Sequence, residues 1–287
     1  MKKRIISSLA LWGCLIVLVF WLEIEGAILI LALFSAGAHW ELCHIWKKAG
    51  QSVAPVAGTI AGSLLIPAAY YMHDPLLDFL KDPWAVAASL GLTSVLLAWV
   101  LILVFSQGTR FKATALGPTA LSVLYVPFLL HFFLYLLKNQ DVGLFGLFLC
   151  IWVLITAKFT DMGALLTGKY LGRHKMAPRL SPKKTWEGAI GGTIIAVITA
   201  VFAAHLANQN LTGFNFELRT AAGLALLISI VGQIGDLVES GFKRKANVKD
   251  SGNSIPGIGG ALDLMDSLIL NAPLAFFLLS KVDFGQS

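Results

Sequence analysis

Charge is what this chain has least of. Only 13% of its 287 residues are charged, against about a quarter in a soluble domain. A water-soluble globular fold is excluded on that ground, and the mean hydropathy of +0.77 agrees. Cysteine is also scarce. Cys14, Cys43 and Cys150 stand far apart in apolar surroundings, with no C-x-x-C pair. That spacing excludes a disulfide framework and a zinc knuckle. There is no G-x-x-x-x-G-K-[ST] loop, so a P-loop nucleotide site is excluded as well. Internal repeats and low-complexity tracts are missing.

Long apolar runs are present instead. A helix of about 20 residues crosses a bilayer. The runs are continuous rather than alternating, so helices are expected and not a barrel. Nine segments qualify: 5–22, 26–46, 53–72, 84–105, 113–137, 142–158, 188–207, 220–240 and 260–280. The first follows Lys2, Lys3 and Arg4, exceeds a signal-peptide core and lacks a cleavage site, so it reads as a spanning helix. The expected fold is therefore an all-α integral membrane protein of about nine transmembrane helices.

Placing the N-terminus in the cytoplasm puts 18 of the 22 basic residues on that side, as the positive-inside rule asks. Two inner loops stand out, 158–187 and 241–259, both basic. The chain then reads as one membrane domain in two parts. Residues 1–157 form a helical scaffold, and 158–287 carry the two chemistry-bearing loops. Trp21, Trp40, Trp46, Trp84 and Trp186 fall near proposed membrane boundaries. Pro118 and Pro127 predict a kink in the fifth segment. His39, Glu41 and His44 read as the end of the second segment near the interface rather than as metal ligands.

Carboxylates are expensive near a bilayer, at about 2.5–3.5 kcal/mol each at a helix centre. Four nevertheless gather at two helix ends. Asp236 and Glu239 close the eighth segment, and Asp263 and Asp266 open the ninth. Each pair is spaced i, i+3 and shares a helix face. The macrodipole favours Asp263 and Asp266 but opposes Asp236 and Glu239. A divalent cation resolves the mutual repulsion, and an all-oxygen site suits Mg²⁺. Lys243, Arg244, Lys249 and Asp250 lie between the pairs. Basic residues beside a carboxylate site point to a polyphosphate ligand, although such a patch also suits anionic lipid headgroups. Gly257, Gly259 and Gly260 would let backbone N–H groups approach a phosphate at the last helix's start. In the other inner loop, Asp161 is followed by Ser181, Lys183 and Lys184, then by Glu187 near a helix start. Gly188, Gly191 and Gly192 suit close helix packing.

Two stretches carry a resemblance. One is Ser240-x-Phe242-Lys243-Arg244-x4-Lys249-Asp250, continued by Ile255-Pro256-Gly257-x-Gly259-Gly260-x2-Asp263-x2-Asp266. The other is Ser181-Pro182-Lys183-Lys184-Thr185-Trp186-Glu187-Gly188, preceded by Asp161 and Gly172-Arg173-His174-Lys175. Together they resemble the signature of the phosphatidate cytidylyltransferases (CDP-diacylglycerol synthases), over about 158–267. The chain departs from it at Ile258, where the family usually has His, and at Leu264, where it usually has Arg. The resemblance implies that CTP and phosphatidic acid give CDP-diacylglycerol and pyrophosphate, with Mg²⁺ and room for a second cation. It also implies a homodimer in the cell membrane (the inner one in a Gram-negative source), with the active site facing the cytoplasm and no nucleic-acid partner.

On this reading Asp236, Glu239, Asp263 and Asp266 are the metal ligands, and Lys243, Arg244, Lys249 and Asp250 the catalytic set. Asp161, Ser181, Lys183, Lys184, Gly259 and Gly260 contact substrate. Rival readings fit less well, among them a catalytically impaired relative that binds CTP or lipid without turning it over, given Ile258 and Leu264. CDP-alcohol phosphotransferases need a D-G-x-x-A-R pattern that is not here. A transporter would place its acids near the midplane and show inverted repeats.

Overall fold

The computed structural model describes residues 2–71, 113–138, 143–252, 254, 259–282 and 284. The expected segment 84–105 lies outside the described residues. Helix dominates, as apolar sequence with satisfied backbone groups requires in lipid. The elements are α1 (Lys2–Lys48), α2 (Pro55–Tyr71), a 3-10 turn (Ala113–Ala115), α3 (Leu116–Val123), a π turn (Leu124–Phe128), α4 (Phe132–Lys138) and α5 (Gly143–Leu171). A hairpin of β1 (Lys175–Ala177) and β2 (Ser181–Thr185) follows, then α6 (Trp186–Asn210), α7 (Leu218–Lys245) and α8 (Ala261–Leu279). Among the described residues six stretches are long and apolar enough to span a membrane: Ile24–Lys48, Leu116–Leu137, Phe145–Leu171, Trp186–Asn210, Leu218–Lys245 and Ala261–Leu279. The protein is thus a helical integral membrane protein. Pro55–Ala68 is apolar but shorter.

Three expectations need correction. The reversal expected between residues 22 and 26 is absent, because α1 is one helix of 47 residues. The junction Leu22-Glu23-Ile24-Glu25-Gly26 has no proline and is rich in helix formers, so nothing there stops propagation. The inner loop expected from 158 starts instead after Leu171, since α5 runs for 29 residues. At 1.5 Å per residue that is about 43 Å, more than the bilayer core. Lys158 and Asp161 are therefore helical. Likewise Asp236 and Glu239 do not close a helix: α7 continues to Lys245 and carries Lys243 and Arg244 on its last turn. The all-α class holds, with one short hairpin that the sequence analysis did not expect. The antiparallel hairpin pairs Lys175 with Thr185 and Ala177 with Ser181.

The chain divides into two compact units, residues 1–135 with 242–265, and 136–241 with 266–287. In the first unit, α1 packs on α2 and on the segment after Leu116. Small residues allow this. A Cβ at Gly58 would lie 2.6 Å from the His39 ring, and one at Gly37 would lie 3.0 Å from Ala261 Cβ. Pro127 lies in the π turn, where a missing N–H and a distorted ladder go together. Buried Trp46 and half-buried Tyr125 both meet Phe242, at ring-centroid distances of 5.5 and 5.2 Å.

In the second unit α5 and α6 form the main helix pair. Their backbones touch through Gly163, Gly188 and Gly192. A Cβ at Gly192 would lie 2.5 Å from Thr160 O, and one at Gly188 would lie 2.9 Å from Ala164 O. This is the small-residue contact by which helices associate without a hydrophobic driving force. Trp152 Nε1 donates to Ala200 O at 2.8 Å across the same pair. At the far end Phe214 stacks on Phe284, with centroids 5.3 Å apart.

Candidate active site

In the second unit α7 lies hard against α8. A Cβ at Gly235 would stand 2.5 Å from Asp266 O, and one at Gly232 would stand 2.9 Å from Asn271 Nδ2. Only glycine permits that approach, and it brings the next residue of α7 and the one a turn later to α8. Asp236, Glu239 and Asp266 each present a carboxylate oxygen, all within 4.8 Å of one another. Glu239 is 0% and Asp266 7% exposed. Lys184 reaches in from β2, with its Nζ 2.7 Å from Asp236 Oδ2 and 3.4 Å from Gln233 O. Asp161 of α5 faces Asp236 and Asp266 electrostatically. Ser267 Oγ donates to Asp161 at 3.3 Å, and Lys158 Nζ lies 3.6 Å from the same carboxylate.

The donor chemistry fits a divalent cation. Three carboxylates converge in a largely buried spot, and their oxygens are hard ligands of the kind Mg²⁺ takes. Like charges at this separation repel strongly in a low dielectric. Lys184 offsets one of them.

Local structure holds Lys184 in place. Thr185 caps α6, its hydroxyl accepting from Gly188 N at 3.1 Å. Glu187, in the first turn of α6, accepts from the backbone N–H of Arg173 (3.1 Å) and of His174 (3.2 Å). It also pairs with His174 Nδ1 at 2.6 Å. The carboxylate that the sequence places only near a helix start thus fastens the hairpin to the helix. Ser181 is half-buried and Lys183 is exposed on the same strand.

The first unit holds the other set. α7 ends where Asn247 adopts a left-handed φ of 54°. Val248 N–H returns to Lys243 O at 2.9 Å and Asn247 N–H to Arg244 O at 3.0 Å, a Schellman-type close. Lys243 Nζ lies 2.9 Å from Asp263 Oδ1, while Asp263 Oδ2 accepts from Gly260 N–H at 3.1 Å. Gly259 has φ 137°, a conformation that excludes side chains. Arg244, Lys249 and Asp250 are exposed. Ile258 lies outside the described residues, and Leu264 is half-buried on α8.

Glu41, which the sequence marks only as a helix end, is 3% exposed. Its carboxylate accepts from Ser251 Oγ at 3.1 Å, from Leu262 N–H at 2.9 Å and from Ser254 Oγ. Lys158 and Ser267, which brace Asp161, were also not singled out. The signal available for Glu41 was one acid in an apolar stretch. For Lys158 it was a lysine three residues before an acid.

Comparison with known proteins matches these features to one family. The model of the cytidylyltransferase family matches residues 2–282. A phosphatidate cytidylyltransferase of Bacillus subtilis is 31% identical over 281 residues, 98% of each chain. One from Staphylococcus aureus is 37% identical over 200 residues, covering 69% of this chain and 72% of the other. One from Staphylococcus saprophyticus is 40% identical over 153 residues, 52% of this chain and 55% of its own. With a match running nearly end to end, the chain belongs to the cytidylyltransferase family.

Proposed function

We propose that this protein is a phosphatidate cytidylyltransferase, making CDP-diacylglycerol and pyrophosphate from CTP and phosphatidic acid. The observation that carries the reading is the convergence of Asp236, Glu239 and Asp266 within 4.8 Å, next to basic groups in a membrane protein whose relatives bear that name. In the reaction a phosphate oxygen of phosphatidate attacks the α-phosphorus of CTP. The P–O bond to the β-phosphate breaks, and pyrophosphate leaves. Such transfers need little covalent help, so positioning and charge neutralisation carry the rate.

Asp236, Glu239 and Asp266 would hold Mg²⁺, with Asp161 as a further oxygen donor for it, and Asp263 would serve a second cation. When bound, the cation neutralises phosphate charge as it builds toward the leaving group. The chain's own groups do the rest. Lys243, Arg244 and Lys249 bind the nucleotide's phosphates, and Asp250 orients them. The N–H groups of Gly259 and Gly260 cradle a phosphate at the start of α8. Ser181, Lys183 and Lys184 receive a substrate phosphate beside the acids. Lys184 is already placed to exchange Asp236 for that phosphate.

The basic hairpin and the basic end of α7 are separated by two helix crossings, α6 and α7, so both fall on one membrane side. The positive-inside rule makes that side cytoplasmic, where CTP is available. Residues up to 157 serve mainly as scaffold, and the motifs after 158 carry the chemistry. A homodimer would use outward apolar residues of α6 such as Ile190, Ile194 and Ile198, which are 59%, 54% and 63% exposed.

Purified protein in lipid, given labelled CTP and phosphatidate, tests the reading. Labelled CDP-diacylglycerol is expected with Mg²⁺ and none with EDTA. Absence of product under both conditions contradicts it.

A further inference from the structure

Glu41 is far from the family motifs in sequence, yet among the described residues its carboxylate bonds to the loop that carries them and to the first turn of α8. Oε2 takes Ser251 Oγ at 3.1 Å and Leu262 N–H at 2.9 Å, and Oε1 takes Ser254 Oγ. These three donors flank the glycine-rich segment on both sides. The fit leaves no spare room. A Cβ at Gly252 would strike the Glu41 carboxylate, and one at Gly260 would strike Ser251 Oγ and Glu41 Oε2. Leu262 N–H is one of the first-turn donors of α8 that no intrahelical carbonyl can satisfy. Glu41 therefore caps α8 from a different helix and clamps both ends of the loop at once. A carboxylate suits this place because it only accepts, and the groups that bond to it among the described residues are donors. At 3% exposure the donors are what make its burial tolerable.

We infer that Glu41 is a positioning residue for the described ends of this loop, 249–252 with 254 and 259–260, holding Lys249, Asp250 and the Gly259–Gly260 backbone in the shape that receives nucleotide phosphates. The inference rests on the proposed cytidylyltransferase reading for the identity of that nucleotide. It touches no reacting atom itself. Its loss frees the loop, so binding of CTP suffers before binding of the lipid does. Glutamine is a good replacement. Its carbonyl oxygen accepts from Ser251 and Leu262, and its amide can donate to the Ser254 hydroxyl, which turns to accept.

The test compares wild type, Glu41→Ala, Glu41→Gln and the double variant Ser251→Ala/Ser254→Ala in lipid nanodiscs. Each is assayed for the KM of CTP, the KM of phosphatidate and the rate of trypsin cleavage after Lys249. Glu41→Ala is expected to raise the KM of CTP by about tenfold, as loss of hydrogen bonds to a charged group implies. The KM of phosphatidate should stay within about twofold, and cleavage after Lys249 should quicken. Glu41→Gln should restore both the KM and the protection. If Glu41→Ala does not fold, the double variant, which leaves α1 intact, decides by the same shifts. Wild-type KM for CTP together with wild-type cleavage in the folded Glu41→Ala or the double variant overturns the inference, and so does an equal loss for both substrates. A wild type that makes no product refutes the cytidylyltransferase reading alone. The cleavage rates then still judge whether Glu41 holds the loop.

Discussion

Lys184 and Asp236 join a two-stranded hairpin to a membrane helix, with Nζ and Oδ2 2.7 Å apart. The pair is only partly shielded, at 22% and 30% side-chain exposure. Its worth to stability is therefore small. On the proposed reading, its place beside Glu239 and Asp266 gives it a role in turnover instead. Lys184→Met should lower kcat by about a hundredfold, the usual cost of one charge-stabilising contact, and shift the melting temperature little. Steady-state kinetics and thermal unfolding of the same sample check this. A large fall in melting temperature with unchanged kcat would assign the pair to folding.

The acids should respond as a group. Asp236→Asn, Glu239→Gln and Asp266→Asn are each expected to lower turnover by at least about a hundredfold and to raise the Mg²⁺ concentration needed for half-maximal rate. Double replacements should cost little more than single ones, because residues acting as a unit are not additive. Asp263→Asn should also remove nearly all turnover while the protein stays folded. Magnesium titrations of purified variants provide the comparison.

Helix approach at Gly235 sets the geometry. Gly235→Ala places a methyl 2.5 Å from the Asp266 carbonyl oxygen, a backbone atom that cannot step aside. The expected cost is about 1–3 kcal/mol of stability, with turnover lost as Asp236 and Asp266 separate. Gly232→Ala meets the end of the Asn271 side chain at 2.9 Å, which can rotate, so its effect should be milder. Denaturation in detergent ranks the two.

Thr185 tests the link between hairpin and helix. Its hydroxyl caps α6 through Gly188 N–H, and Thr185→Ala should cost about 1 kcal/mol. Thr185→Ser keeps the acceptor and should keep the stability. Unfolding midpoints of the two variants settle the comparison.

Much of this was legible in the sequence, for identifiable reasons. Asp236, Glu239 and Asp266 stood out because carboxylates are rare in apolar helices, and the i, i+3 spacing of Asp236 and Glu239 fixes a shared face. The glycines of α6 announced close packing, and the structure puts Gly188 and Gly192 against α5. Helix ends were less legible. Hydropathy marks where lipid stops, not where a helix stops, and α5 continues through Leu165, Leu166 and Tyr170 past the apolar run. The hairpin was missed because Ser181–Thr185 has neither alternation nor β-branched content before its last residue. Glu41 was unreadable for a different reason. Its partners, Ser251 and Ser254, lie 210 and 213 residues away, and no local pattern encodes a contact of that separation.

The most direct test is to follow conversion of labelled CTP on phosphatidate-containing membranes by wild type and by Asp266→Asn, side by side, as Mg²⁺ is raised. The wild type should form CDP-diacylglycerol in step with the metal, while the variant, folded and in the same membranes, should form almost none. Equal rates from both proteins would show that the acids of α7 and α8 do not serve the transfer.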